Sequence, residues 1–425
     1  MKLAKYSIGI GDRFGHEGQA QLRALDTALR RGTEITPVWN KSHREHALTG
    51  TSPKDVRRRA EKAVRAGGWP GPYHVDADHI GLATVDEFLE PCDYFTIDVS
   101  AAIGQTPPAE TAASFLRRAL GFKGSLRIPG LDSPLEVTDE LLGGVARKYL
   151  GAIDEAGRVY SRIAVAKGPG AFIVELSLDE AGSPQTPGEI LFILAAAAEQ
   201  GLPVQTIAPK FTGAFFKGID YMGDVEDFAR EFEADLAVLE HAKRTFGLPR
   251  DLKLSVHTGS DKFSLYPVMH RAMVKRGAGV HLKTAGTTWL EEVIGLAAAG
   301  GAGLRFAREL AAAAVARLDE LIRPYAAVVS IEPAFLPSAG ELASWGSQEF
   351  IEALQHDPGC PRFNAHLRQL IHTSFPLAAE MGEKFTGLLE RHREPIEARV
   401  TDNLLRRHIG PLFLGGPTVA GVSAP

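Results

Sequence analysis

The chain has 425 residues, 44% of them hydrophobic and 23% charged, with a formal net charge of −5 and a pI near 6.3. This composition suits a globular protein with a large core and an added piece, and it excludes the concentrated basic face of a nucleic-acid binder. Two distant cysteines, Cys92 and Cys360, exclude a disulfide framework, and the most apolar runs, 191–198 and 311–316, are too short to span a bilayer. Met1–Tyr6 lacks the apolar core of a signal peptide, so a cytoplasmic protein with no membrane partner is expected.

In chain order, the first two thirds alternate strand-like and helix-like patterns. Strands are expected at 5–10, 35–39, 72–76, 94–98, 171–176, 203–208, 252–257 and 279–283. A helix runs to about Arg31, and Ser52-Pro53 opens another, with proline where it loses no hydrogen bond. Thr84-Val85-Asp86-Glu87 reads as a further helix start with acids in its first turn. An insertion at about 101–168 carries a Gly/Pro-rich piece at 124–136 and a long amphipathic helix from Asp139. Further helices are expected at 188–200 and 224–246.

Eight β/α units predict an α/β fold, a closed (β/α)8 TIM-type barrel over 1–300, with an open doubly wound sheet as the alternative. The rest, 301–425, reads as a helical C-terminal extension packed on the barrel. Its helices are expected near 303–328, 347–355, 362–371 and 376–407.

In such a barrel the reactive groups sit at the C-terminal strand ends. The third strand runs into Asp76-Ala77-Asp78-His79, a run of residues that disfavour strands. The other ends supply Asp12, Arg13, Asn40, Lys41, Asp98, Glu175, Lys210, His257, Ser260, Asp261, Lys262, His281, Lys283 and Thr284. His79, Glu175, His257 and His281 come from four strands and have the donor types of a divalent metal site, suited to zinc, manganese, nickel or cobalt. The competing reading makes some of these histidines hydrogen-bonded rim residues. Asp78 is the expected catalytic base, with Asp76 orienting a ligand from behind. Glu175 is a second candidate for a catalytic role.

Lys41, Lys210, Lys262, Lys283 and Arg13 give the same face an excess of cations, which suggests an anionic substrate, carboxylate or phosphate. Several of them could instead pair with Asp98, Asp261 or Glu175. Backbone N–H groups at Gly259-Ser260 could serve the same substrate. A Schiff-base role for Lys210 or Lys283 ranks below the metal, since it leaves the His and Glu residues idle. Asp12, Asn40 and Ser260 complete the expected substrate contacts. His372, at a helix end in the extension, is read as either a lid residue reaching the site or a cap.

Four segments resemble the bacterial tagaturonate epimerase family: Tyr6–His16 with its Gly-Asp-Arg-Phe, Val38–His46, Val75-Asp76-Ala77-Asp78-His79 and Phe95–Val99. The resemblance spans most of the chain. It implies an isomerase that interconverts D-tagaturonate and D-fructuronate, with fructose and tagatose as further substrates of some members. A more distant resemblance links Asp78-His79, Ile173–Leu176 and Val256–Ser260 to the class II metal-dependent aldolases, where the Asp is the base and the His a ligand. That implies a retro-aldol route. Thr258 departs from the aldolase glycine, and no histidine stands beside Lys210. The alternatives are an aldolase or lyase that releases its fragments, a metal-dependent ketose isomerase, and a sugar-acid binding protein without turnover. The partner expected is a small sugar acid or ketose; self-association is left open.

Overall fold

The fold is known from a computed structural model, which describes residues 1–284 and 286–416. Ten strands form: β1 Tyr6–Gly9, β2 Thr36–Ser42, β3 His74–Ile80, β4 Tyr94–Asp98, β5 Gly124–Leu126, β6 Leu135–Val137, β7 Ile173–Ser177, β8 Thr206–Ala208, β9 Lys253–His257 and β10 Val280–Lys283. Eight of them close a barrel in the order β1-β10-β9-β8-β7-β4-β3-β2, every pair parallel, while β5 and β6 make a small antiparallel hairpin in the insertion. The predicted TIM-type barrel is therefore present.

Strict alternation of residue types explains the closure. In Val75-Asp76-Ala77-Asp78, Phe95-Thr96-Ile97-Asp98, Val174-Glu175-Leu176-Ser177 and Val280-His281-Leu282-Lys283, the apolar residues belong to the buried shell shared with the helices. The polar residues face the barrel axis, where Lys283 of β10 reaches across to Asp78 of β3. Near the bottom, Leu3, Val38, Tyr94 and Ile173 fill the interior with an apolar layer. Above it the interior is polar.

The third strand differs from the expectation. It does not end at Asp76 but runs through the Asp/His cluster to Ile80, and its register against β4 shifts between Ala77 and Ile80. His79 lies inside this bulge with φ 56°, which costs a non-glycine residue about 1–2 kcal/mol. The bulge breaks the alternation, so consecutive Asp78 and His79 both present their side chains to the mouth.

The helical C-terminal region also packs differently from its sequence pattern. The helix expected over 303–328 stops at Ala316, and a 3-10 turn at Arg323–Val328 follows a short helix, with Pro324 at its start. The one expected over 376–407 breaks at Gly382, whose φ is 53°, and again at His392. The last segment, Asn403–Leu414, packs between the helices Gly18–Arg30 and Tyr266–Arg276. Leu404, Ile409, Leu412 and Phe413 join the barrel core. The helix Thr287–Ala298 after β10 instead joins a second core built by the C-terminal helices. The C-terminus thus fills the place in the helical ring that the eighth helix leaves. Residues 417–425 of the expected extension, and Ala285, lie outside the described residues.

Candidate active site at the barrel mouth

Lys283 sits on the barrel axis, 4% exposed, and its ammonium is surrounded by acceptors. Asp76 Oδ2 lies at 2.9 Å, Asp78 Oδ1 at 3.0 Å, Glu175 Oε1 at 2.9 Å and Thr96 Oγ1 at 2.6 Å. Burial alone would lower this amine, but the three carboxylates outweigh it and raise it well above its ordinary value. Its ammonium is occupied by these internal acceptors, and a Schiff base would need the free amine. In this arrangement Lys283 is the counter-charge that lets several carboxylates share the site.

The carboxylates separate in response. Burial would raise Asp78, but Lys283 and His79 hold it well below the usual carboxylate range, so it is ionised at neutral pH. Asp76 is pushed up to about 7 by burial and by its neighbours Asp78 and Glu175. Asn40 Nδ2 donates to Asp78 Oδ2 at 3.2 Å and fixes the plane of that carboxylate.

Above Lys283 lie His79, Asp179 and His257, whose ligand atoms fall within 4.8 Å of one another. His79 Nδ1 donates to Asp78 Oδ1 at 2.8 Å, and His79 Nε2 lies 3.4 Å from Asp179 Oδ1. His257 is held at both nitrogens, by Asp179 Oδ2 at 2.9 Å and Glu175 Oε1 at 2.8 Å. Burial disfavours charge on these imidazoles, yet Asp78 and Asp179 raise His79 well above its ordinary value, and Asp179 and Glu175 raise His257. Two imidazoles and a carboxylate facing one point, with acids behind them, is a donor set that fits a divalent cation.

This set differs from the sequence expectation at two positions. Glu175 stands behind His257, with its second oxygen taken by Tyr94 Oη at 2.8 Å, and so orients a ligand rather than joining the group. His281 lies a layer deeper, fully buried, with Nδ1 on Ser7 Oγ at 2.9 Å; burial pushes it down to about 3. Its alternation places it toward the axis but below the ligand level. Asp179, which the sequence reading missed, continues the period of Glu175 and Ser177 two residues beyond the end of β7, and that continuation was the available signal.

Several expected substrate contacts are occupied elsewhere. Lys41 donates to Arg13 O at 2.6 Å and to Thr49 and Thr51, and burial lowers it to about 8. Lys210 donates to Ala181 O at 2.5 Å. Lys262, fully buried and lowered to about 7 by burial, donates to Phe216 O, Ile219 O and Ser260 Oγ. Ser260 Oγ also accepts from Gly218 N at 2.8 Å. Asp12 caps its own loop through Gly15 N and Glu17 N. The polar atoms of these residues are engaged by internal partners. Asp261 belongs to a different network, in which Arg368, His356, His408 and Thr287 of the C-terminal helices converge on its two oxygens.

Arg13 and His372 are both buried, with polar atoms not fully engaged among the described residues. Arg13 lies over the Phe375 ring at 4.5 Å and its Nε meets Glu45 at 3.2 Å, while its Nη1 makes no hydrogen bond among the described residues. The Ser42/Glu45 capping box on the helix His43–Thr49 fixes that glutamate. His372 is buried, and neither ring nitrogen has a partner among the described residues. A cavity of about 570 Å3 flanks the mouth on the β1–β2 side, lined in part by Asp12, Trp39, Lys41 and Arg59.

With this geometry in place, comparison with known proteins is direct. A sequence model of UxaE, tagaturonate epimerase, matches residues 1–409. The tagaturonate/fructuronate epimerase of Thermotoga maritima is 32% identical over 302 residues, covering 68% of this chain and 58% of the relative's own length. A glycerol-bound crystal structure of the fructuronate-tagaturonate epimerase UxaE from Cohnella laeviribosi superposes with a TM-score of 0.80 at 26% identity, over 97% of this chain and 82% of that one. The native structure of the same enzyme gives 0.78 at 26%, with the same coverage. Matched along nearly its whole length in sequence and in fold, the chain belongs to the tagaturonate epimerase family.

Proposed function

We propose that the chain interconverts D-tagaturonate and D-fructuronate by inverting C4 of the ketose. Family membership supports the reaction, and the observation that carries the mechanism is the ionised Asp78 set directly against the His79–Asp179–His257 group. The hydrogen on C4 is not α to the C2 ketone, so enolisation alone cannot invert that carbon. Cleavage and re-formation of the C3–C4 bond can.

A divalent metal held by His79, Asp179 and His257 would supply Lewis acidity toward the ketone and the neighbouring hydroxyl. Asp78 takes the proton of the C4 hydroxyl. The C3–C4 pair then moves toward C2, giving an enediolate of one fragment and an aldehyde at C4 of the other. The aldehyde turns its opposite face, the bond re-forms, and Asp78 returns the proton. Lys283 keeps Asp78 ionised for this step, and Asn40 holds its orientation. Glu175 and Tyr94 keep His257 in place. Fructose and tagatose share the C2–C4 unit and are proposed as poorer substrates, since they lack the carboxylate.

The test is turnover of D-tagaturonate before and after chelation, restoring zinc, manganese, nickel or cobalt singly. Fructuronate formed, lost with the chelator and regained with one metal, supports the reading. Complete solvent deuterium incorporation at C4 would refute the bond-cleaving route. Accumulating three-carbon products would favour a lyase.

A further inference from the structure

Each lysine that the sequence offered for an anionic substrate is bound to internal acceptors. One other cation at the mouth is not. Lys217, in the loop after β8, is half-buried, and its ammonium makes neither a hydrogen bond nor an ion pair among the described residues; it lies 5.3 Å from the centre of the Tyr325 ring.

The backbone around it is pinned on every side. Lys217 N donates to Val328 O at 2.8 Å, Gly218 N donates to Ser260 Oγ at 2.8 Å, and Gly218 O accepts from Arg368 Nε at 2.5 Å. Phe216 O and Ile219 O both accept from Lys262 Nζ. The loop is therefore rigid where a free ammonium is displayed, the arrangement expected when a partner comes from outside the chain.

Its surroundings are those of an anion receptor. Arg13, whose Nη1 makes no hydrogen bond among the described residues while its Nε meets Glu45, and Arg44, which shares the Tyr325 ring at 4.7 Å, are the nearby cations. His372, neutral because burial and then Arg13 and Lys217 depress it, has two ring nitrogens without a partner among the described residues. The acids facing the site are Glu45, which meets Arg13, and Glu180. Lys217 Nζ lies 3.8 Å from where a side chain on Gly259 would begin. Gly259 follows His257 by two residues, so at most about 7 Å of extended chain separates them. A carboxylate here would lie within one sugar-acid length of the metal-ligand group.

We propose that Lys217, with Arg13, is the carboxylate-binding subsite that selects hexuronates over neutral ketoses. This rests on the epimerase reading for its substrate but is testable without it. Lys217→Gln should raise KM for D-tagaturonate about 10- to 100-fold and leave kcat within about threefold. Lys217→Arg should regain most of the loss. In calorimetry, D-gluconate should bind the wild type and bind Lys217→Gln at least tenfold more weakly. Binding of uncharged D-glucitol should be unchanged.

An unchanged KM, a fall in kcat at constant KM, equal losses for gluconate and glucitol, or no gluconate binding by the wild type would overturn the subsite. A wild type that binds gluconate through Lys217 yet turns over no tagaturonate would instead overturn the epimerase reading alone. Should the Gln variant fail to fold, Lys217→Met, of similar length, takes its place in both assays.

Discussion

Two lysines at the mouth of one barrel show opposite solutions to carrying a buried charge. Lys283 is saturated, with three carboxylates and a hydroxyl within 3.0 Å of its ammonium. Lys217 is held as firmly through its backbone but has no partner for its charge among the described residues. The difference separates two tasks. A saturated cation fixes the ionisation of its neighbours, which a catalytic centre requires before substrate arrives. An unsaturated cation on a rigid loop stores an interaction that only a ligand completes. The cost of leaving it incomplete is limited because the group stays partly open to water, whereas a fully buried unpaired charge would cost several kcal/mol.

The largest effect should come from the saturated centre. Asp78→Asn removes the proposed base and one of the acceptors of Lys283, and kcat should fall about 10²- to 10⁴-fold, read by proton NMR of the two epimers. Because Asp78 also orders His79, metal content should be measured alongside. Activity within tenfold of wild type would move the proton-transfer role away from Asp78.

A third buried charge marks where neither task applies. Arg368 and Asp261, both inaccessible to solvent, pair at 2.6 Å between the C-terminal helices and the loop after β9. Asp261→Ala leaves that guanidinium buried without its partner. Stability should drop by about 3–5 kcal/mol, read as a lower urea midpoint. A drop below 1 kcal/mol would show that water reaches Arg368 and that the helices are held by apolar packing alone.

The contrast between the lysines also predicts a pH dependence. Burial, then Arg13, lowers Lys217 to about 8, with Arg44 adding to the depression and Glu45 and Glu180 opposing it. The protonated amine is the form that attracts a carboxylate. Affinity is therefore full below about pH 8 and is lost as pH rises through it, so kcat/KM for a uronate should fall up to tenfold per pH unit on that side. Reactions of neutral ketoses should lack this limb. Lys283, raised well above its ordinary value, stays charged across the same range and contributes no limb of its own.

The sequence carried much of this fold because the strands alternate so strictly. Val280-His281-Leu282-Lys283 announces both the strand and the face that meets the axis. That Asp78, His79 and His257 would meet at one end of the barrel was legible because imidazoles and carboxylates at apolar strand ends have few other uses. What stayed hidden depends on partners that leave no trace in residue type. Lys41 and Lys262 look like substrate cations until their acceptors are seen to be the carbonyls of Arg13, Phe216 and Ile219. Lys217 lies in a loop with no periodic signal, and its significance comes from anchors supplied by residues as distant as Val328 and Arg368. The bulge at His79 was hidden too, since register shifts follow from pairing rather than composition.

His281 offers the smallest and most discriminating test. From sequence it has the same standing as His257: an imidazole two residues from another polar position on an inward face. The structure places it beneath the His79 group, bonded to Ser7 and tilted 35° against the Tyr94 ring at 5.3 Å. Its unpartnered Nε2 and its low pKa, about 3, describe a neutral ring packed under Glu175. His281→Gln, which retains an amide donor for Ser7, should leave the metal stoichiometry unchanged and lower kcat only a few-fold, through a slight shift of Tyr94 and Glu175. Loss of the bound metal in this variant would put His281 among the ligands and return Asp179 to a supporting role. The same assay on Asp179→Asn should then show metal retained; if instead that variant loses the metal while His281→Gln keeps it, the ligand group is His79, Asp179 and His257.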